Sequence, residues 1–296
     1  MSRLGFGMTA LFWVLQASSL LLVILLQAAA PGFANNPAYA KLYTVVLSVV
    51  PLYFCALPVF LAVTGGFRTL FSRELFATRE KMTGRAFLKS FTIMMFFTYV
   101  LNLLTQIVTT LLSAVKGSEI VNPVASMLPS SALEFVVLFL FSCVAAPVME
   151  EVLFRGLIIH WLKRFGDGMA IFGSALIFAL FHGNLSQFFY TFAIGCIFGY
   201  IYLKTGTVKY SIYLHMLMNF FGGILPPLAV KFPLVAMVYS IVTIGLVIWG
   251  FFNLIVDVKN LKIESGKNMG LLFRSPGMIV FYVCTVLQIV VTTFVL

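Results

Sequence analysis

The sequence predicts an all-α membrane protein: a polytopic transmembrane helical bundle of about eight or nine spans, its core built from short or broken helices. Three observations carry this prediction. Of 296 residues, 61% are hydrophobic and 9% are charged, whereas soluble domains average roughly 25% charged residues. The apolar runs are too long and too numerous for a soluble core, and most reach the ~20 residues that cross a bilayer. The short alternating segments of a membrane β-barrel are absent.

In chain order the apolar runs place spans at about 8–30, 42–64, 87–115, 132–153, 169–182, 187–203, 209–222, 233–256 and 276–296. The first follows Arg3 and ends on Ala28-Ala29-Ala30, as a signal peptide does. Its run exceeds a typical ~7–15-residue signal core, so it reads as a retained helix. The second carries Pro51 and Pro58, which predict kinks. Gly65 to Lys89 reads as a basic connector, partly helical along the surface, and Lys116 to Ser130 as an outer loop with Pro123 and Pro129. Ser131-Ala132-Leu133-Glu134 fits a capping box, which gives Glu134 a structural task at a helix start. The runs at 169–182 and 209–222 hold about fourteen residues each, or ~21 Å of helix against a ~30 Å hydrocarbon core. Short mid-chain spans predict backbone breaks around a cavity. No repeat or soluble domain is visible, so residues 1–296 read as one membrane domain.

The net charge of +10 does not point to nucleic acid. With a cytoplasmic N-terminus, all of the nineteen basic residues except Lys41, Lys116 and Lys231 fall on the inner side, as topology control requires. An integral protein of a bacterial plasma membrane is the expectation. Cys55, Cys143, Cys196 and Cys284 lie in apolar runs without paired spacing and read as small core residues.

Acidic residues locate the chemistry. Six of nine (Glu74, Glu80, Glu119, Asp167, Asp257 and Glu264) fall in polar connectors, and Glu134 starts a helix. Glu150 and Glu151 lie deep in an apolar run, where charge costs several kcal/mol unless it is paired, wetted or used. Glu151 and Arg155 are spaced i,i+4, the orientation of a same-face ion pair. Glu150 lies about 100° around the helix and has no partner of opposite charge there, which suits a general base. Pro147 stands three residues before it and predicts a bend that opens space for water.

Polar groups on two other spans complete a candidate set. His182 ends Phe178-Ala179-Leu180-Phe181-His182, and His215 and Asn219 share one helical face at i,i+4. Counted along helices from cytosolic anchors, Glu150 and His182 lie ~20 Å deep and His215 ~9 Å. Convergence between mid-membrane and the cytosolic half is thus expected. Glu150 with His182 could activate a water against a carbonyl, with His215 and Asn219 donating to the oxyanion. His160, beside Trp161 and Lys163, reads as an interfacial residue. Other hydrolase designs are missing: there is no H-E-x-x-H, both aspartates sit in connectors, and Ser174 lacks G-x-S-x-G and reads as a packing residue.

Glu150-Glu151-Val152-Leu153-Phe154-Arg155 (E-E-x-x-x-R), Phe178 to His182 (F-x-x-x-H) and His215 to Asn219 (H-x-x-x-N) stand in an order and spacing that resemble the CPBP family. This is the CAAX protease and bacteriocin-processing, or Abi, family of intramembrane proteases, which includes type II CAAX prenyl endopeptidases. The resemblance covers roughly 130–225. It implies an eight-helix-type core, Glu150 as catalytic glutamate with His182 as its partner, an oxyanion site from His215 and Asn219, and support from Glu151 and Arg155. It also implies an intramembrane endopeptidase acting on a membrane-associated peptide or protein, with no cofactor. A zinc-dependent version remains an alternative, since two histidines and a glutamate can ligate zinc. The non-enzyme alternative is a membrane scaffold, a bacteriocin self-immunity protein or a sensor-regulatory protein that retains the motifs.

Overall fold

Nine helical segments hold most of the described residues. The computed structural model describes residues 1–36, 39–70, 72–120, 131–259 and 269–294. Pro123 and Pro129 of the expected outer loop lie outside these residues, as do Glu264, Lys262 and Lys267. The side chains of Lys41 and Lys231 also lie outside the description. In chain order the segments are α1 (Ser2–Ala29), α2 (Leu42–Thr64), α3 (Gly84–Lys116), α4 (Ala132–Phe165), α5 (Asp167–Phe181), α6 (Leu185–Thr205), α7 (209–231), α8 (Pro233–Val258) and α9 (Pro276–Phe294). Seven are long and apolar enough to cross a membrane (α1–α4, α6, α8 and α9), and α5 is a shorter apolar helix. No strand occurs among the described residues. The molecule is a helical membrane bundle, and its span count roughly matches the eight or nine expected from sequence.

Two boundaries differ from the sequence reading. The span expected to end at 153 runs on to Phe165, because Val152 to Ile159 are all buried and hold the helix inside the bundle beyond the charged residues. The run expected to stop at 222 continues to Lys231: Lys209–Asn219 is α-helical, Phe220–Ile224 is π-helical, and Leu225–Lys231 closes it. That path is therefore a broken long helix. Only α5 is short, and it ends where Gly183 takes a left-handed turn (φ 66).

Prolines explain three of the four π-helical stretches. Val50–Ala56, Leu140–Ala145 and Phe220–Ile224 are each followed two residues later by proline: Pro58, Pro147 and Pro226. A proline ring clashes with the carbonyl four residues back and offers no N–H. The wider π turn relieves the clash but leaves the carbonyl five residues back without its donor. After Ala146 N–H bonds Phe141 O, the next acceptor in that register is Ser142 O, which Pro147 cannot reach. Asn219 Nδ2 donates to it instead at 2.7 Å. Likewise Leu225 N–H bonds Phe220 O, and Phe221 O, opposite Pro226, accepts from Tyr239 Oη at 3.0 Å. The fourth stretch, Val152–Ile158, has no such proline; its Phe154 O accepts from the buried Ser174 Oγ at 2.8 Å. Ser174 thus packs, as expected, and also caps a backbone carbonyl.

Two apolar clusters flank the middle of α4. The larger joins Leu4, Met8 and Leu11 of α1, Phe60 of α2, Phe154 and Leu157 of α4, Phe178 of α5, and Phe281 of α9. The crossing of α1 and α9 requires glycine: a Cβ on Gly5 would stand 2.2 Å from the Gly277 carbonyl carbon. The second cluster joins Phe91 and Met94 of α3, Ile194 and Phe198 of α6, and Leu214 and Met218 of α7. Outside it, Lys89 pairs with Asp257 and Asn253 donates to Thr92 at 2.9 Å, tying α3 to α8. The four cysteines are free. Ser131 Oγ accepts from Glu134 N at 3.2 Å, the expected cap of α4, and the Glu134 side chain is buried.

The basic connectors meet at one end of the bundle. Arg79 N donates to Thr205 O at 2.9 Å and Val208 N to Leu75 O at 3.0 Å. Arg3 Nε donates to Val63 O at 2.6 Å, and Arg3 and Arg164 both lie over the Trp161 ring. The connector between α2 and α3 is partly helical, at Phe67–Leu70 and Arg73–Phe76, as expected. His160 is exposed beside Trp161.

Candidate active site

Glu150 and Glu151 end the α-helical turn Ala146–Glu151, between the π segments Leu140–Ala145 and Val152–Ile158. A helix that changes pitch on both sides of two carboxylates can aim them differently, and the two side chains do diverge. Glu151 is fully buried and pairs with fully buried Arg155, Oε1 to Nη1 at 3.1 Å, as the i,i+4 spacing predicts. The same oxygen faces His215 Nδ1 at 2.9 Å. The pairing does not occupy both carboxylate oxygens: Glu151 Oε2 has no hydrogen-bond partner among the described residues, nor do Arg155 Nε and Nη1.

Arg155 is held by more than charge. Its Nη2 donates to Gly195 O of α6 at 3.2 Å. Its guanidinium carbon lies 4.6 Å from the Phe178 ring centroid and 5.0 Å from that of Phe198. Rings on both sides supply the cation–π attraction that a desolvated guanidinium needs. At Gly195 a Cβ would press on Ala175 Cα at 3.2 Å and Arg155 Nη2 at 3.3 Å, so the missing side chain makes room for the pair.

Glu150 keeps 24% of its side-chain surface exposed. Among the described residues it makes no hydrogen bond; its nearest basic atom is His215 Nε2, 3.7 Å from Oε2. His215 is thus clamped between the two glutamates, with Phe198 stacked on its ring at 5.1 Å and Phe178 edge-on at 5.9 Å. A carboxylate only accepts, so Nδ1 carries the proton given to Glu151, and Nε2 is the atom turned toward Glu150.

His182 sits just beyond the last turn of α5, and its Nδ1 bonds Phe178 O at 2.8 Å. A carbonyl also only accepts, which leaves the neutral ring with its lone pair on Nε2. Glu150, His215 and Arg155 all lie within Coulombic reach of this ring. Asn219 is half-buried and gives one amide proton to Ser142 O. The structure therefore gathers Glu150, Glu151, Arg155 and His215 in direct contact, sets His182 within charge range, and ties Asn219 to the α4 backbone.

Several contributors were not singled out in the sequence. Phe198 forms the floor under His215, and Tyr53 of α2 and Tyr190 of α6 lie within Coulombic reach of Glu150. Tyr190, Ile194 and Phe198 repeat at i, i+4 and i+8 on α6, a spacing visible in the sequence. Asn184 accepts from Gln187 N at 3.0 Å and caps α6 just after His182. Among the described residues, no group of three or more His, Cys, Asp or Glu side chains is placed to hold a metal ion.

A family model described as Type II CAAX prenyl endopeptidase Rce1-like matches residues 132–221, from the first turn of α4 to the π stretch after Asn219. The matched stretch is the one that carries the motifs. Glu150, Glu151, Arg155, Phe178, His182, His215 and Asn219, the seven fixed motif residues, all fall inside it. No curated protein and no solved structure matches the chain.

Proposed function

We propose that this protein hydrolyses a peptide bond of a membrane-associated protein or peptide at Glu150. One observation carries the reading: of two adjacent carboxylates, one is fully buried in an ion cluster, and the other is part-exposed, without a hydrogen bond among the described residues and 3.7 Å from His215 Nε2. A free carboxylate in that setting is placed to take a proton from water. His182 Nε2 accepts or relays the same proton, because its other nitrogen is committed to the Phe178 carbonyl.

Hydroxide adds to the scissile carbonyl carbon as Glu150 and His182 take up the proton. The oxyanion is met by the second Asn219 amide proton and by His215 Nε2–H, on a ring that carries both protons before the attack and after it, so that the water's proton is the one Glu150 and His182 store. The Glu151 carboxylate on Nδ1 then balances the charge of the ring. Collapse of the tetrahedral intermediate breaks the C–N bond, and the stored proton passes to the leaving amine. Glu151 and Arg155 hold His215 without touching substrate. The reaction in this reading is metal-free. A chelator is expected to leave cleavage unchanged.

The basic end of the bundle is the cytoplasmic end in this reading, with the N-terminus inside, in a bacterial plasma membrane. The deciding experiment reconstitutes the purified protein in liposomes with candidate membrane peptides recovered from cells carrying Glu150→Ala. Glu150→Ala and His182→Ala are expected to abolish cleavage, with a rate loss of at least about 10³-fold, while melting and expression hold. Full activity in purified Glu150→Ala overturns the reading and leaves a scaffold, immunity or sensor role.

A further inference from the structure

The basic end of the bundle holds two arginines that share one aromatic ring. Arg3, in the first turn of α1, donates from Nε to Val63 O in the last turn of α2 at 2.6 Å, and its guanidinium carbon lies 5.9 Å from the Trp161 ring centroid. Arg164, in the last turn of α4, lies over the same ring at 5.2 Å and over Phe165 at 4.9 Å. Both arginines are exposed, and Trp161 is half-buried against the larger apolar cluster.

Among the described residues the chain supplies no counter-charge: neither arginine makes an ion pair. A helix C-terminus attracts a cation, which accounts for Arg164 taken alone. It does not account for Arg3, which stands at the positive end of α1 with no acidic residue in that first turn. Beyond the one bond from Arg3 Nε, both guanidinium forks remain free to donate, and such forks match two oxygens of a phosphate.

The surface beside the pair is apolar. Phe6, Ala10 and Trp13 follow Arg3 at i+3, i+7 and i+10 on one face of α1. Phe6 is 48% and Trp13 57% exposed, and on a helix that crosses the membrane this face meets acyl chains. A soluble anion would use the cations alone, whereas a lipid uses both the cations and the aromatic face. Trp161 adds the indole that favours headgroup depth.

We propose that Arg3 and Arg164, over Trp161, bind the phosphate headgroup of an anionic glycerophospholipid whose acyl chains lie along Phe6 and Trp13. A zwitterionic headgroup fits less well, because it brings its own ammonium to two cations. Trp161 lies eleven residues beyond Glu150 on α4, roughly 15 Å of helix, so the proposal does not depend on the protease reading.

The test uses the full chain in phosphatidylcholine nanodiscs. Trp13→Phe/Trp249→Phe leaves Trp161 as the only tryptophan, and its fluorescence is read as acyl-brominated phosphatidylglycerol or acyl-brominated phosphatidylcholine replaces the unlabelled lipid. The brominated phosphatidylglycerol should reach half-quenching at a roughly 25-fold lower mole fraction, about fivefold for each basic side chain at an anionic surface. Arg3→Gln and Arg164→Gln should each return about fivefold of this preference, and the double variant all of it. Lys209→Gln, at an exposed lysine of the same end, should return none. Equal quenching by the two lipids before either arginine is changed overturns the proposal. So does an equal loss in Lys209→Gln, which would assign the preference to the general charge of that end. Millimolar glycerol 3-phosphate should leave the quenching in place; recovery of the fluorescence would make this a site for free phosphate and overturn the lipid assignment.

Discussion

Glu150 and Glu151 are chain neighbours with opposite surroundings. Around Glu151 everything is dry: an arginine between phenylalanine rings, a histidine on the shared oxygen, and no exposed atom in the pair. Around Glu150 there is exposure, no hydrogen bond, and a ring nitrogen at 3.7 Å. The lesson is that one helix can carry a structural charge and a reactive one at adjacent positions if its pitch changes on either side. The dry cluster costs desolvation and returns orientation, since it fixes His215 in one rotamer and one tautomer. The wet carboxylate is left available because its neighbour takes the strong partners.

Breaking the dry side should give the largest effect on folding. Arg155→Met strands Glu151 in apolar surroundings, which costs about 3–5 kcal/mol for a buried pair with one partner removed. Unfolding in mixed detergent would show this as a large loss of stability, with activity lost alongside. A near-normal stability would mean that water reaches Glu151 and that the contrast between the two glutamates is false.

The same measurement on the wet side should show little. Glu150→Gln keeps the shape and removes a charge that no hydrogen bond holds, so stability should stay within about 0.5 kcal/mol. Cleavage should still collapse. Large losses of both stability and activity would make Glu150 part of the structural cluster.

How much of this was legible in the sequence depends on the range of the signal. Composition and run length carried the bundle, and the i,i+4 rule carried the Glu151–Arg155 pair, because both are local. Ordered motifs singled out Glu150, His182, His215 and Asn219 as one candidate set. The sequence did not show that His215 spends Nδ1 on Glu151, or that the helix after Asn219 continues to Lys231. The first is a contact between residues 64 apart. The second turns on a π stretch that apolar periodicity does not register. Pro147 was legible as a disturbance; that Asn219 answers it was not, because the donor comes from α7.

That answer supplies the finest test. The stretches before Pro147 and Pro226 solve one problem in the same way, yet one donor is the candidate oxyanion residue Asn219 and the other is Tyr239, which also pairs with Tyr99. If the proline creates the vacancy, restoring an N–H should make the donor dispensable for folding. Asn219→Ala should cost about 1 kcal/mol by leaving Ser142 O unbonded. In a Pro147→Ala background the same change should cost a few tenths, because the backbone N–H restored at position 147 can reach that carbonyl. The coupling, read as a double-mutant cycle in stability, should approach the whole of the single effect. Tyr239→Phe should match Asn219→Ala in stability but spare kcat. Cleavage should stay impaired in Pro147→Ala/Asn219→Ala, since the proposed mechanism gives the second amide proton of Asn219 to the oxyanion. A double variant that regains both stability and rate would confine Asn219 to the backbone repair and hand the oxyanion to His215 alone.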